Sequence, residues 1–332
     1  MRFSNKHCIY ITLFLIIYWI VTAILRARNC AQILEEESQI TVIELNRKKS
    51  DSNIYISNDN NLQINDNKKR KFLYNRYLPI VFISGVSGSG LSLMCKLLDE
   101  DSNIRCSDSG GFVSEMIIRH DEWTNSKIEK ERLLHASMTD DVIDGAVIAF
   151  ILDMILKQGK IASRICNKDS LILNHAVYIK KLFPNVKFLF MIRDARSTSN
   201  TIVNKRIKIN GAKIDDHKEA LINWNKAIEK MHSNCAEVGF NTCKIVYYEK
   251  LLLEPEKMMN QVYEFINQTN VFTRDTPENK IIIDKKKLTN WFGRFPSDLS
   301  GQLFDLAPYF KKLGYEAQYF NNYTYLLRKN LQ

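Results

Sequence analysis

The chain has 332 residues, of which 45% are hydrophobic and 25% charged, with a formal net charge of +10. That length suits one large domain or two small ones with ample material for a core, which excludes a minimal or wholly disordered chain. The positive charge admits nucleic acid, acidic peptides and small anions alike, and its lysines and arginines are scattered in short runs, Lys285–Lys287 among them, so composition alone selects no partner.

In chain order, Ile9–Leu25 is an uncharged run near the lower length limit for a membrane span. Arg2, Lys6 and His7 precede it, and Arg26 and Arg28 follow it. Ala23-Ile24-Leu25-Arg26-Ala27 is a poor signal-peptidase site, so residues 9–25 read as an uncleaved signal anchor after a cytoplasmic tail of residues 1–8. Both flanks are basic, so charge does not orient the span. Residues 26–76, rich in Asn, Asp, Ser, Lys and Glu, predict a flexible stem, and residues 77–328 the domain proper. Anchor, stem and domain form the layout of a single-pass type II membrane protein with its domain in the secretory lumen.

The seven cysteines fit that compartment. Cys235 and Cys243 flank a short connection containing Gly239, where a local bridge fits. Cys106 and Cys166 are the other candidate pair, and sequence alone does not fix the connectivity. Cys8 lies at the span, Cys30 in the stem where it could link two chains, and Cys95 after the glycine-rich turn described next. No Cys-x-x-Cys and no His/Cys spacing suggests a metal. Asn267-Gln268-Thr269 and Asn322-Tyr323-Thr324 are glycosylation sequons, usable at Asn267 and Asn322 only in the lumen.

Leu78–Ser84 reads as a buried strand, Gly85–Gly90 as a small-residue turn, and Leu91–Asp99 as a helix. Strand, turn and helix N-terminus together make a phosphate cradle, because successive N–H groups point at one anion. Gly85–Ser92 fits G-x-x-x-x-G-x-S, a Walker A loop with Leu91 in the lysine position. A nucleotide kinase needs that lysine, and the rival reading is a turn that merely joins strand to helix. A short strand follows at Ile104–Ser109, then a flexible Asp108-Ser109-Gly110-Gly111 loop. Helical segments are predicted over 117–157 and 171–182. Pro184–Ile192 is a nearly continuous apolar run, the mark of a strand buried on both faces of a parallel sheet. Arg193-Asp194-Ala195-Arg196 closes it. Helices over 197–205 and 218–236, a strand over 243–248 and a helix over 255–267 complete an α/β pattern, a parallel sheet flanked by helices. Ligands in such folds bind outside the carboxyl ends of the strands, where the cradle, Arg193 and Tyr248 fall.

Phe82–Asp99, Cys166–Arg196 (CNKDS…LFPNVKFLFMIRDAR) and Trp224–Glu249 together resemble the tyrosylprotein sulfotransferases. These are Golgi enzymes that move sulfate from 3′-phosphoadenosine-5′-phosphosulfate to protein tyrosines without a metal. The resemblance runs from about Leu78 to Glu256 and returns weakly around Leu288–Trp291 and Lys312–Tyr315. It implies a P-loop-like sulfotransferase fold, a Golgi location, acidic tyrosine-containing peptides rather than nucleic acid as acceptors, and allows a homodimer. It implies that the cradle of Gly88, Ser89, Gly90, Leu91 and Ser92 holds the phosphosulfate. Arg193 and Thr201 then meet the 3′-phosphate, Lys205 stands in an arginine position, Tyr248 contacts the nucleotide, and Lys168 stabilises the transferring group.

The pattern also breaks. Gly88 stands where the family has the arginine that grips the phosphosulfate, and Leu91 where it has a threonine. Ser109 takes the place of the catalytic glutamate and Gly111 that of an arginine. A tyrosine hydroxyl has a pKa near 10, so its attack at neutral pH needs a carboxylate base. Asp108, one residue away, is the substitute base that a shift of the Gly110-Gly111 loop would allow. Arg274–Lys287 lacks the family's donor-contacting serine-and-glycine segment. Three readings compete: an active sulfotransferase with reduced turnover, an inactive relative that binds acidic tyrosine peptides or an active homologue, and a luminal kinase or glycosyltransferase. The missing Walker lysine opposes the kinase. For a glycosyltransferase, Asp99-Glu100-Asp101 is the nearest carboxylate pair and reads as a helix end.

Overall fold

The computed structural model describes residues 53–57, 61–65, 71–159, 162–209, 212–268, 283–316 and 323–327. The tail of residues 1–8, the anchor run, Cys8, Cys30 and Asn322 lie outside them. Among the described residues no helix is long and apolar enough to cross a membrane. The chain divides into a unit of residues 1–73 and a unit of residues 74–332. Within the stretch read as stem, β1 (Asn53–Ser57), β2 (Asn61–Asn65) and β3 (Lys71–Tyr74) form a three-stranded sheet, with β1 antiparallel to β2. The stem composition gave no sign of it.

The larger unit is built on five parallel strands. They are β4 (Ile80–Ser84), β5 (Ile104–Asp108), β6 (Arg164–Lys168), β7 (Lys187–Ile192) and, after the β8–β9 hairpin (Lys208–Ile209 and Ala212–Lys213), β10 (Cys243–Tyr247), in the order β10-β7-β4-β6-β5. Every residue of β4 is buried, as are Phe188–Ile192 of β7, because these central strands are covered on both faces. Phe82 stacks on Phe188 with centroids 6.1 Å apart. Each such side chain contributes roughly 1.5–3 kcal/mol by leaving water.

The strands are connected and followed by helices α1 (Leu91–Asp99), α2 (Phe112–Asn125), α3 (Lys127–His135), α4 (Asp140–Leu156), α5 (Ala176–Leu182), α6 (Ala195–Asn204), α7 (His217–Val238), α8 (Tyr248–Leu253) and α9 (Pro255–Phe265). Short helices α10 (Ser297–Ser300), α11 (Leu303–Leu306), α12 (Pro308–Lys312) and α13 (Thr324–Leu327) follow. Asp99 ends α1, so the Asp99–Asp101 carboxylates are a helix end. β6 went unread because Arg164-Ile165-Cys166-Asn167-Lys168 is not an apolar run. Its buried Asn167 instead donates through Nδ2 to Ser107 Oγ at 3.0 Å.

Topology places the site. The chain runs from central β4 to the edge strand β5, returns to β6, then crosses to β7 on the other side of β4. That reversal opens a crevice at the carboxyl end of β4, the ligand position of open α/β sheets. All five strands are parallel, so Lys168, Asp108, Arg193 and Tyr248 end or follow strands at this one edge.

Candidate active site

The turn after β4 is held open by glycine. Gly85, Gly88 and Gly90 have φ of 149°, 97° and 102°. A Cβ on Gly90 would stand 2.7 Å from Cε2 of the Tyr248 ring. Gly90 is also the N-cap of α1, without a side-chain cap and with no acidic residue in the first turn. The N–H groups of Leu91 and Ser92 are therefore orphan donors at the positive end of the helix. Two hydroxyls behind this turn, Ser89 Oγ and Thr198 Oγ1, are buried with no hydrogen-bond partner. Beside them lies a cleft of about 590 Å³ lined by Lys168, Arg193, Lys205, Lys287 and Arg294 and by no carboxylate among its described walls. These residues fit a nucleotide carrying two anionic groups.

Arg193 is fixed at the mouth of β7. Its Nη1 donates to Gly88 O at 2.9 Å and its Nη2 to Lys287 O at 3.0 Å. Its guanidinium carbon lies 4.4 Å from the centroid of Tyr248. Of five guanidinium N–H donors, these bonds use two. Tyr248 is 4% exposed, and burial raises its pKa. It therefore offers a neutral ring face between Gly90 and Arg193.

Gly88 explains one break in the pattern. Its positive φ disfavours any side chain, and a Cβ would lie 3.1 Å from Thr201 Cγ2. The backbone is not shaped for an arginine there. Thr201 lines the cleft, but its hydroxyl donates to Ser197 O at 2.9 Å. It can accept from a ligand as it stands, and must turn to donate to a phosphate.

Strand register sets where the residues of the second break lie. Asp108 and Lys168 are ladder partners at the ends of β5 and β6, and their side chains form an ion pair. Lys168 Nζ also donates to Ser92 Oγ at 3.3 Å, so one ammonium links the cradle helix to Asp108. Asp108 further accepts the Gly110 N–H at 2.9 Å. Ser109 turns the other way and is buried. Its Oγ donates to Asp169 Oδ2 at 3.1 Å, and Asp169 also accepts the N–H groups of Ser114 and Leu171. Asp108 and Ser109 both lie outside the cleft wall, and Asp108 reaches it through Lys168. A Cβ at Gly110 or Gly111 would meet nothing within 4 Å, so the approach beside Asp108 is open.

Both candidate cysteine pairs are joined. Cys106–Cys166 links directly opposite residues of β5 and β6, and Cys235–Cys243 links α7 to β10. Cys95 is free, with its thiol pushed up to about 11 chiefly by burial. Asn267 is exposed at the end of α9.

A sulfotransferase family model matches residues 79–270. Protein-tyrosine sulfotransferase 2 of Gallus gallus is 33% identical over 271 residues, covering 76% of this chain and 73% of that protein. Protein-tyrosine sulfotransferase 1 of Homo sapiens is 32% identical over 310 residues, covering 87% and 81%. By homology, the chain belongs to the protein-tyrosine sulfotransferase family. The Drosophila melanogaster protein-tyrosine sulfotransferase is 34% identical over 273 residues, but the match spans 55% of that longer protein.

Within this sulfotransferase fold, Gly88, Gly90, Leu91, Ser92, Lys168, Arg193, Thr201, Lys205 and Tyr248 line one cleft, with Ser89 buried behind it. Sequence reasoning missed Lys287, Arg294 and Asn204, which complete the wall. The Lys285–Lys287 cluster was the available signal for the first. Trp291 is buried and also faces the cleft.

Proposed function

We propose that the chain transfers the sulfuryl group of 3′-phosphoadenosine-5′-phosphosulfate to tyrosines of secretory-pathway proteins, from a domain in the Golgi lumen behind an N-terminal anchor. The observation that carries this reading is the meeting of cradle, Arg193 and Lys168 in one cationic cleft at the sheet edge. The orphan N–H groups of α1 receive the phosphosulfate. Arg193 takes the 3′-phosphate with its remaining donors, and the Tyr248 ring carries the nucleotide.

The chemistry is an in-line displacement. The tyrosine oxygen forms a bond to sulfur while the bond from sulfur to the 5′-phosphate oxygen breaks, and the electron pair leaves with the nucleotide. Lys168 turns from Asp108 toward the equatorial oxygens and stabilises their charge. Asp108, relieved of its cation, accepts the phenol proton. Because Asp108 replaces a glutamate one position away on a shorter side chain, the account expects lower turnover than an optimal geometry gives.

A second reading, binding of tyrosine peptides without turnover, is favoured by Ser109, which spends its hydroxyl on buried Asp169. Sulfate transfer to an acidic tyrosine peptide separates the two. The wild-type domain should turn over, and Asp108→Asn should lose about 10²–10⁴ in kcat. Equal rates would remove Asp108 from the mechanism. Peptide binding with no transfer would select the second reading.

A further inference from the structure

Behind the cleft lies a buried polar cluster that the transfer chemistry leaves without a role. Asp194 and Arg196 lie at the start of α6, Glu249 in α8, Tyr315 after α12 and Tyr323 before α13. All are at most 2% exposed. Arg196 donates to Asp194 through Nη2 at 2.6 Å and Nε at 3.1 Å. Tyr323 donates to the same carboxylate at 3.0 Å. Glu249 Oε1 accepts the Asp194 N–H at 2.9 Å, and its Oε2 accepts the Tyr315 hydroxyl at 2.7 Å.

The geometry gives Glu249 leverage on the donor site. Asp194 is the residue after Arg193, so the bond to its N–H fixes the peptide that carries Arg193. Glu249 is itself the residue after Tyr248, whose ring lies beneath Gly90 and against Arg193. One carboxylate thus ties the ends of neighbouring strands β7 and β10.

We propose that Glu249 is a positioning residue for the donor site, one that holds Arg193 and Tyr248 in register and takes up a proton when an anionic phosphate binds to Arg193. The inference rests on the reading of the cleft as a nucleotide site. Arg193 and Asp194 face Glu249 from the turn between β7 and α6, Tyr247 and Tyr248 from its own segment, and Tyr315 and Tyr323 from the C-terminal segment, while Arg196 pairs with Asp194. Burial and the Asp194 carboxylate oppose the charged form of Glu249, while the Asp194 N–H, the Tyr315 hydroxyl and, in smaller measure, Arg193 favour it. A phosphate on Arg193 cancels that favourable field, so the bound state prefers the protonated acid. Affinity must then fall as pH rises.

The test is calorimetric titration of the purified domain with 3′-phosphoadenosine-5′-phosphate between pH 6 and pH 8, in buffers of different ionisation enthalpy. The comparison is wild type against Glu249→Gln, which keeps the acceptor for the Asp194 N–H but cannot titrate. The phosphate's own titration is common to both proteins and cancels. Relative to the variant, wild type should take up part of a proton near neutrality and lose about three- to tenfold more affinity across that range. Identical proton uptake and pH slopes would overturn the proposal while leaving the nucleotide site intact. Failure of wild type to bind the nucleotide at any pH would overturn both. Glu249→Ala, which strands the Asp194 N–H, should bind more weakly than Glu249→Gln at every pH, and equal affinity would remove the positioning role.

Discussion

A methyl group placed on Gly90 would meet the Tyr248 ring at 2.7 Å, on a backbone with φ of 102° that L-residues rarely adopt. Gly90→Ala must therefore move the ring that backs the donor site. Nucleotide affinity should drop by about tenfold or more, with a stability loss of about 1–3 kcal/mol, both read by titration and urea unfolding. Arg193 is subtler, because it braces the cradle as well as offering donors to the ligand. Lysine cannot reproduce two carbonyl bonds and a fork at once, so Arg193→Lys should recover little of what Arg193→Ala loses. Glu249 also bears on stability. Burial lifts its carboxyl from 4.5 to about 7, so the folded state keeps a proton that the unfolded chain releases. That contribution is complete below the unfolded value and is lost as pH rises through the folded one. The shift corresponds to about 3 kcal/mol. Glu249→Gln should flatten the fall in the urea midpoint from pH 5 to pH 8, and an unchanged slope would refute the assignment.

At the scale of elements, the proposed catalytic pair of Asp108 and Lys168 depends on how β5 and β6 are held. Asp108 and Lys168 face each other because the strands pair in parallel, with Cys106 opposite Cys166 two residues earlier. The bridge closes a sequence separation of 60 residues at that point. Its removal by Cys106→Ala with Cys166→Ala should cost about 2–5 kcal/mol in denaturant unfolding. It should also lower kcat more than nucleotide affinity, since Arg193 and Tyr248 stand on β7 and β10 beyond the bridge. An equal loss in both would show that the bridge supports the sheet as a whole. The elements themselves were unequally legible. β4 and β7 announce themselves as apolar runs, and α1 was read at its observed ends, Leu91 and Asp99. β6 hides because its Asn167 and Lys168 are polar and bond to Ser107, Ser92 and Asp108 on neighbouring elements. α2 begins at Phe112, earlier than its periodicity suggests, because Gly111 at φ of 89° supplies the N-cap.

For the molecule as a whole, parallel topology does most of the assembly, bringing residues from across the sequence to one edge. The strand-end positions of Arg193 and Tyr248 could be read from pattern alone. The orientation of Ser109 into Asp169, the tie between Arg193 and Gly88, and the buried Glu249 cluster could not, since each depends on long-range contacts. The cleft gathers five cations, so nucleotide affinity should weaken as salt rises from 50 to 500 mM, through screening of the exposed Lys205, Lys287 and Arg294. The most direct test of the central claim is calorimetric titration of the purified domain with 3′-phosphoadenosine-5′-phosphate, wild type beside Arg193→Ala. The account predicts saturable one-to-one binding by wild type and at least about a tenfold loss in the variant. Binding that ignores the substitution, or no binding by wild type, would contradict it.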